Sequence, residues 1–118
     1  MPEQMNLDMF KQKVFDYEQE KEWKFKGDRP AIIDFYADWC GPCRMVGPVL
    51  EKIGKKYSGK LDVFKVNTDI EQELAAMFGV QSIPTLVFIP TEGKPMVSVG
   101  ALPEKEIDRI VEEELNVT

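Results

Sequence analysis

Histidine is missing altogether from this 118-residue chain, and cysteine occurs only twice, at Cys40 and Cys43. Without an imidazole, Ser-His and Cys-His nucleophilic sites and His-ligated metal centres are excluded together. Two cysteines cannot build the multiple-disulfide framework of a small secreted scaffold. Long apolar runs are lacking as well, so no stretch approaches membrane-spanning length. Basic residues are the minority, 15 Lys and Arg against 21 Asp and Glu, and the resulting net charge of -6 repels nucleic acid and anionic lipid. Protein partners are expected instead, with no nucleic acid, no membrane and a monomeric state. The opening residues, Met-Pro-Glu-Gln-Met-Asn-Leu-Asp, have neither the basic nor the apolar part of a secretory signal. The expected compartment is cytoplasmic, with the periplasm as the alternative if a leader has been removed from this chain.

What is present is the balance of one soluble globular domain, 43% hydrophobic and 31% charged. The reading is a single domain over 1–118, with an N-terminal helix and variable loop in 1–28 and the core in 29–116. Leu7, Phe10, Val14 and Tyr17 recur at helical spacing and predict a helix from Asp8 to Glu20. An ordered loop, Gln19 to Gly27, follows. "AIIDFYA", Ala31 to Ala37, is apolar on both faces except at Asp34, the pattern of a central strand covered on each side.

The next helix is expected from Cys40 to Tyr57, with Val46, Val49, Leu50 and Ile53 inward, Pro48 bending it, and Ser58-Gly59 closing it. A strand Leu61 to Asn67 and a short helix Ile70 to Phe78 ending at Gly79 continue the alternation. "TLVFI" from Thr85 and "PMVSV" from Pro95 predict an antiparallel hairpin, and a last helix runs from Pro103, as its first residue, to Asn116. The order is βαβαββα: class α/β, with parallel strands leading to an antiparallel edge and helices on both faces. An extra N-terminal strand is barely visible in Gln4 to Leu7.

Cys40 and Cys43 stand where a helix starts. As a staple they close a loop of about four residues, which stabilises by only about 2 kcal/mol. As zinc ligands they supply two of four donors, and no other cysteine or histidine completes the set, leaving only a metal shared between two chains. As a reactive pair their position makes sense, because the N-terminus of a helix favours thiolate and Arg44 adds a positive charge. At an ordinary pKa near 8.5 about 3% of a thiol is ionised at pH 7, so a fall of one to two units raises the nucleophile roughly tenfold. Reactivity accounts for position as well as spacing; the shared metal and an inert pair stay open at this point.

Trp39-Cys40-Gly41-Pro42-Cys43, preceded by the strand bearing Asp34 and followed by Ser82-Ile83-Pro84-Thr85 and Val99-Gly100-Ala101, closely resembles the thioredoxin family. The resemblance runs from about Arg29 to Leu115. It implies the thioredoxin fold, a central mixed sheet flanked by helices, and a redox-active Cys40–Cys43 disulfide with no metal. Cys40 is then the exposed nucleophile and Cys43, buried one helical turn later, the resolving thiol. A carboxylate inside an apolar strand has its charged form disfavoured; read bare, Asp34 is either this or a solvent-facing residue near a strand end. The resemblance implies the buried carboxylate behind Cys43, transferring its proton, with Lys65 paired to Asp34. Taken alone, Lys65 is an outward lysine on a strand.

The bond before Pro84 reads as trans from the sequence alone, since about 5% of such bonds are cis in folded proteins; the resemblance implies cis. It also implies a substrate-docking face of Trp39, Gly41, Pro42, Ile83, Pro84, Val99, Gly100 and Ala101, with the Ile83 backbone pairing to an extended segment. The activity implied is reduction of protein disulfides by dithiol-disulfide exchange, with no bound cofactor and reducing equivalents from NADPH through a thioredoxin reductase. An exported thiol oxidase or isomerase of the same fold, and a non-catalytic binding module, are the alternatives. Three departures from the family stand out: Tyr36 where many members carry Trp, the long Gln19 to Gly27 segment, and Pro103 where a capping Ser is common.

Overall fold

A computed structural model describes residues 2–118; Met1, with which the expected domain opens, lies outside the described residues. The elements are β1 (Glu3–Gln4), α1 (Leu7–Lys13), β2 (Ala31–Tyr36), α2 (Gly41–Lys56), β3 (Asp62–Asn67), α3 (Gln72–Met77), β4 (Thr85–Ile89), β5 (Met96–Val99) and α4 (Glu104–Glu113). They form a five-stranded sheet in the order β1-β3-β2-β4-β5. β3 lies parallel to β1 and β2, while β4 is antiparallel to both β2 and β5. The expected α/β class and mixed sheet are those observed, and the faint N-terminal strand exists, displaced to Glu3–Gln4.

β2 occupies the centre, and its alternation sorts the core into two layers. Ile32 faces Val46, Leu50 and Ile53 of α2 and Ile107 and Val111 of α4. Ile33 and Phe35 face the other way, onto Phe10 and Val14 at α1 and Leu74 of α3. Asp34 has the parity of Ile32 and therefore points to the α2 side. Burying a large apolar side chain contributes about 1.5 to 3 kcal/mol, so both layers hold β2 rigidly in register with its neighbours.

Some boundaries differ from the expectations for physical reasons. α1 starts after Asn6, whose side chain accepts the Met9 N–H at 2.9 Å, and it stops at Lys13 rather than Glu20. There the Phe15 N–H returns to Phe10 O, and Lys26 N donates to Val14 O, a contact from twelve residues on that no helical spacing reports. Val14 and Tyr17 are still packed inward, from a turn. The Gln19 to Gly27 segment is held by Trp23, 4.9 Å from Phe15 and 6.4 Å from Phe78 between ring centroids. α2 runs through Pro48 to Lys56 and is capped by Tyr57, with Gly59 at φ +81°. Pro103 is the N-cap of α4, not its first residue, and makes no side-chain cap. No helix among the described residues is long and apolar enough to cross a membrane.

Candidate functional site: a disulfide at a helix start with a buried carboxyl behind it

Cys40 is the N-cap of α2, in extended conformation, and Cys43 is its third helical residue. The two are joined as a disulfide with Cα atoms 5.3 Å apart. Pro42 between them is well suited to the first turn of a helix, where an N–H has no partner within the helix. The Cys43 N–H donates to Cys40 Sγ at 3.2 Å, so the first turn directs a backbone donor and the positive end of the helix at that sulfur.

The expected contrast between an exposed Cys40 and a buried Cys43 is not what the oxidised site shows: they are 4% and 6% exposed. Cys40 is covered because it packs with Ala37, Cys43 and Ile83, and Ile83 O lies 3.8 Å from its sulfur. What separates the two cysteines is direction. Cys40 looks toward Ile83, whereas Cys43 lines a recess of about 250 Å³ together with Asp34, Tyr36 and Lys65. A larger recess of about 680 Å³, between the β4–β5 turn and the C-terminal segment, contains none of these groups.

Asp34 is 5% exposed, and its Oδ1 has no hydrogen-bond partner. Burial pushes its carboxyl up to about 7, partly opposed by the positive charge of Lys65. Lys65 is its register partner on β3, but the expected pair is not a contact: no ion pair within 4.0 Å joins them among the described residues. The Lys65 ammonium stands instead 5.7 Å from the centroid of the Tyr36 ring. Arg44 also departs from expectation. Its guanidinium donates to Asp38 O at 3.0 Å and is committed to that loop.

The Ile83–Pro84 bond is cis, as the resemblance implied. Gly100 N donates to Pro84 O at 2.8 Å, and Thr85 pairs with Val99, which brings Val99, Gly100 and Ala101 beside the cysteines. Gly100 has φ +97°, where a Cβ is disfavoured. Trp39 and Val99 are 68% and 67% exposed; Gly41, Pro42 and Ala101 are exposed and Ile83 half-buried, while Pro84 is buried. The residues expected to form a docking face thus include exposed ones on the loop of Cys40 and on the end of β5, with the cis Ile83–Pro84 bond between them. The sequence reading missed Asp69, whose Oδ2 accepts the Trp39 indole N–H at 2.9 Å. The signal for it was local: Asn67 Oδ1 accepts the Asp69 N–H at 2.9 Å, an Asx turn that fixes Asp69 at the end of β3.

A cysteine pair at a helix start, a carboxyl titrating near neutrality behind one sulfur and an open apolar rim beside the other define a dithiol-disulfide exchange site on a thioredoxin-type sheet. The thioredoxin family model matches residues 6–113. Thioredoxin of Borreliella burgdorferi is 57% identical over 101 residues, 86% of each chain, and thioredoxin 1 of a Nostoc species is 42% identical over 106 residues, 90% of each. A crystal structure of chloroplastic thioredoxin z superposes with a TM-score of 0.80 at 27% identity, covering 95% of this chain and 92% of that one. The chain belongs to the thioredoxin family and is a thiol-disulfide oxidoreductase whose redox-active pair is Cys40–Cys43.

Proposed function

We propose that the exchange runs in the reducing direction, on disulfides of other proteins, and that the reduced form is regenerated by a thioredoxin reductase drawing on NADPH. The observation that carries this is how little the site offers a thiolate. Among the described residues Cys40 Sγ receives one N–H, from Cys43, while the nearby cation, Arg44, is engaged by Asp38 O. A disulfide is strongly oxidising when its reduced form is specially stabilised; here that stabilisation is limited to one N–H and the helix N-terminus, with Arg44 engaged elsewhere, and an ionised Asp34 would repel a second thiolate. Gly-Pro between the cysteines and the lack of histidine accord with a reductase.

In the first step the Cys40 thiolate attacks one sulfur of the substrate disulfide; the substrate S–S bond breaks, and its other sulfur leaves as a thiolate that takes a proton from solvent. A mixed disulfide remains. Cys43 then passes its proton to the Asp34 carboxylate and attacks Cys40 Sγ; the mixed disulfide breaks, the second substrate sulfur leaves as a thiolate that takes a proton from solvent, Asp34 returns its proton to solvent, and Cys40–Cys43 closes. Two electrons have moved to the substrate. The Ile83 N–H and C=O make no backbone hydrogen bond among the described residues, so they suit strand addition by an extended substrate segment. Trp39, Gly41, Pro42, Val99, Gly100 and Ala101 supply the docking face, and the cytoplasm is the proposed compartment.

Two measurements test the direction and the chemistry. Equilibration with glutathione buffers is expected to give a midpoint below the glutathione range; one more positive than about -180 mV, where isomerases and oxidases lie, overturns the reductive reading. In insulin-disulfide reduction, Cys40→Ser is expected to fall to background, a loss of at least about a thousandfold. Wild-type activity in that variant overturns the enzymatic reading in favour of a binding module.

A further inference from the structure

Tyr36 is unused in the mechanism above, yet it sits on the wall of the recess that holds Asp34 and Cys43. Its O–H donates to Gln4 Oε1 of β1 at 2.9 Å, which fixes the ring from the sheet edge. Asp34 and Lys65 are directly opposed on adjacent parallel strands. Strands lie about 4.8 Å apart, a gap the four-carbon stem of lysine spans easily. The ammonium nevertheless lies over the Tyr36 ring, and Asp34 Oδ1 remains without a partner. A cation is attracted to the face of an aromatic ring, and this competes with a contact to a carboxyl that is mostly protonated below neutral pH.

The other groups facing Asp34 leave Lys65 as the adjustable charge. From α2 come Cys43 and Arg44, the latter bound to Asp38 O; Asp38 lines the same recess; the β4 partner of Asp34 is apolar Leu86.

We propose that Tyr36 is a positioning residue: its ring, anchored to β1 through Gln4, seats the Lys65 ammonium away from the Asp34 carboxyl and so sets how readily Asp34 exchanges a proton with Cys43. The inference rests on the reading of Asp34 as the acceptor for the Cys43 proton, and it gives the N-terminal edge strand a part in the chemistry.

Titration of the Asp34 side-chain carbon by NMR in the disulfide form tests it, in wild type, Tyr36→Phe, Tyr36→Leu, Lys65→Met and Tyr36→Leu/Lys65→Met. Tyr36→Leu removes the aromatic face, frees Lys65 to approach, and is expected to lower the Asp34 midpoint by about one pH unit. Tyr36→Phe keeps the face but loses its hydrogen bond to Gln4, and is expected to show a smaller fall than Tyr36→Leu, equal to that of Gln4→Ala. The double variant is expected to titrate with Lys65→Met alone, and the pH profile of mixed-disulfide resolution is expected to move with the NMR midpoint. An unmoved midpoint in Tyr36→Leu overturns the inference, as does a fall in the double variant relative to Lys65→Met, which marks entry of water rather than movement of a charge. Should Tyr36→Leu not fold, Gln4→Ala at an exposed position carries the test: a smaller fall is expected, and no change overturns it. Failure of the underlying reading shows elsewhere, as wild-type resolution rates in Asp34→Asn.

Discussion

The two ends of α2 handle buried polarity in opposite ways. At its C-terminal end Tyr57 donates to Asp108 and lies 3.2 Å from Glu112 Oε1, while Lys56 donates to the other oxygen of Asp108 at 2.7 Å. The buried Tyr57 hydroxyl there is satisfied from α4. At the N-terminal end Asp34 is buried with one oxygen unpartnered, its register neighbour Lys65 is directed elsewhere, and Cys43 faces it across a recess. Unsatisfied buried polarity costs stability, and the cost falls where the chemistry is. The first end locks α2 to α4; the second keeps a proton acceptor in reserve.

Replacing Asp34 by Asn breaks this comparison most severely. Loss of a positioned proton acceptor is expected to slow resolution by Cys43 about a hundredfold at pH 7, with the deficit shrinking at higher pH as Cys43 ionises unaided; stopped-flow turnover of a mixed disulfide measures it. Stability is expected to move the other way. A carboxyl raised from 3.8 to about 7 binds its proton more tightly in the folded than in the unfolded chain. Its contribution is therefore complete below about pH 4 and is lost as pH rises through 7. At about 1.4 kcal/mol per pH unit, Asp34→Asn is expected to be more stable than wild type by about 4 kcal/mol at pH 8 and scarcely different at pH 4, by urea unfolding of the oxidised forms. Equal stability at pH 8 would remove the claim that Asp34 is held under desolvation.

The Tyr57 end predicts the opposite pH signature at smaller size. Burial and the hydrogen bond to Asp108 push the Tyr57 phenol up to about 12, and Lys56 first, then Tyr57, hold the Asp108 carboxyl below its ordinary value. A depressed carboxylate stabilises above about pH 4, and the effect is lost as pH falls through the folded value. Tyr57→Phe is expected to cost about 1.5 kcal/mol at pH 7, less on acidification, with insulin reduction unchanged. A large loss of activity would mean the two ends are coupled through α2.

The contrast also marks what the sequence makes legible. β4, Thr85–Ile89, was visible to the residue because it is apolar on both faces and bounded by Pro84 and Pro90. The apolar neighbours of Asp34 on β2 left its burial as one of two readings, and the resemblance to the family decided between them. The end of α1 was hidden, since Val14 and Tyr17 continue its spacing while the contact that ends it comes from Lys26. β1 is two exposed residues, defined by the backbone of β3 and not by their own pattern. In the site, residue types were legible and side-chain directions were not. Arg44 turning to Asp38, Lys65 turning to Tyr36, and Trp39 meeting Asp69 thirty positions away all depend on rotamers and long-range packing.

Lys52 and Glu104 give the smallest expected effect and sharpen what separates the two ends. They bridge the same helices as Tyr57 and Asp108, at 3.4 Å, but with side chains 73% and 45% exposed. Water solvates both charges whether or not they meet, and holding two long side chains in one geometry offsets most of the attraction. Lys52→Ala is expected to change stability by less than about 0.5 kcal/mol, and moderate salt is expected to erase the difference. A loss as large as that of Tyr57→Phe would show that bridging α2 to α4 is itself what stabilises. A negligible one leaves burial as the deciding variable, which makes the buried and unpartnered Asp34 costly and the exposed Lys52 indifferent.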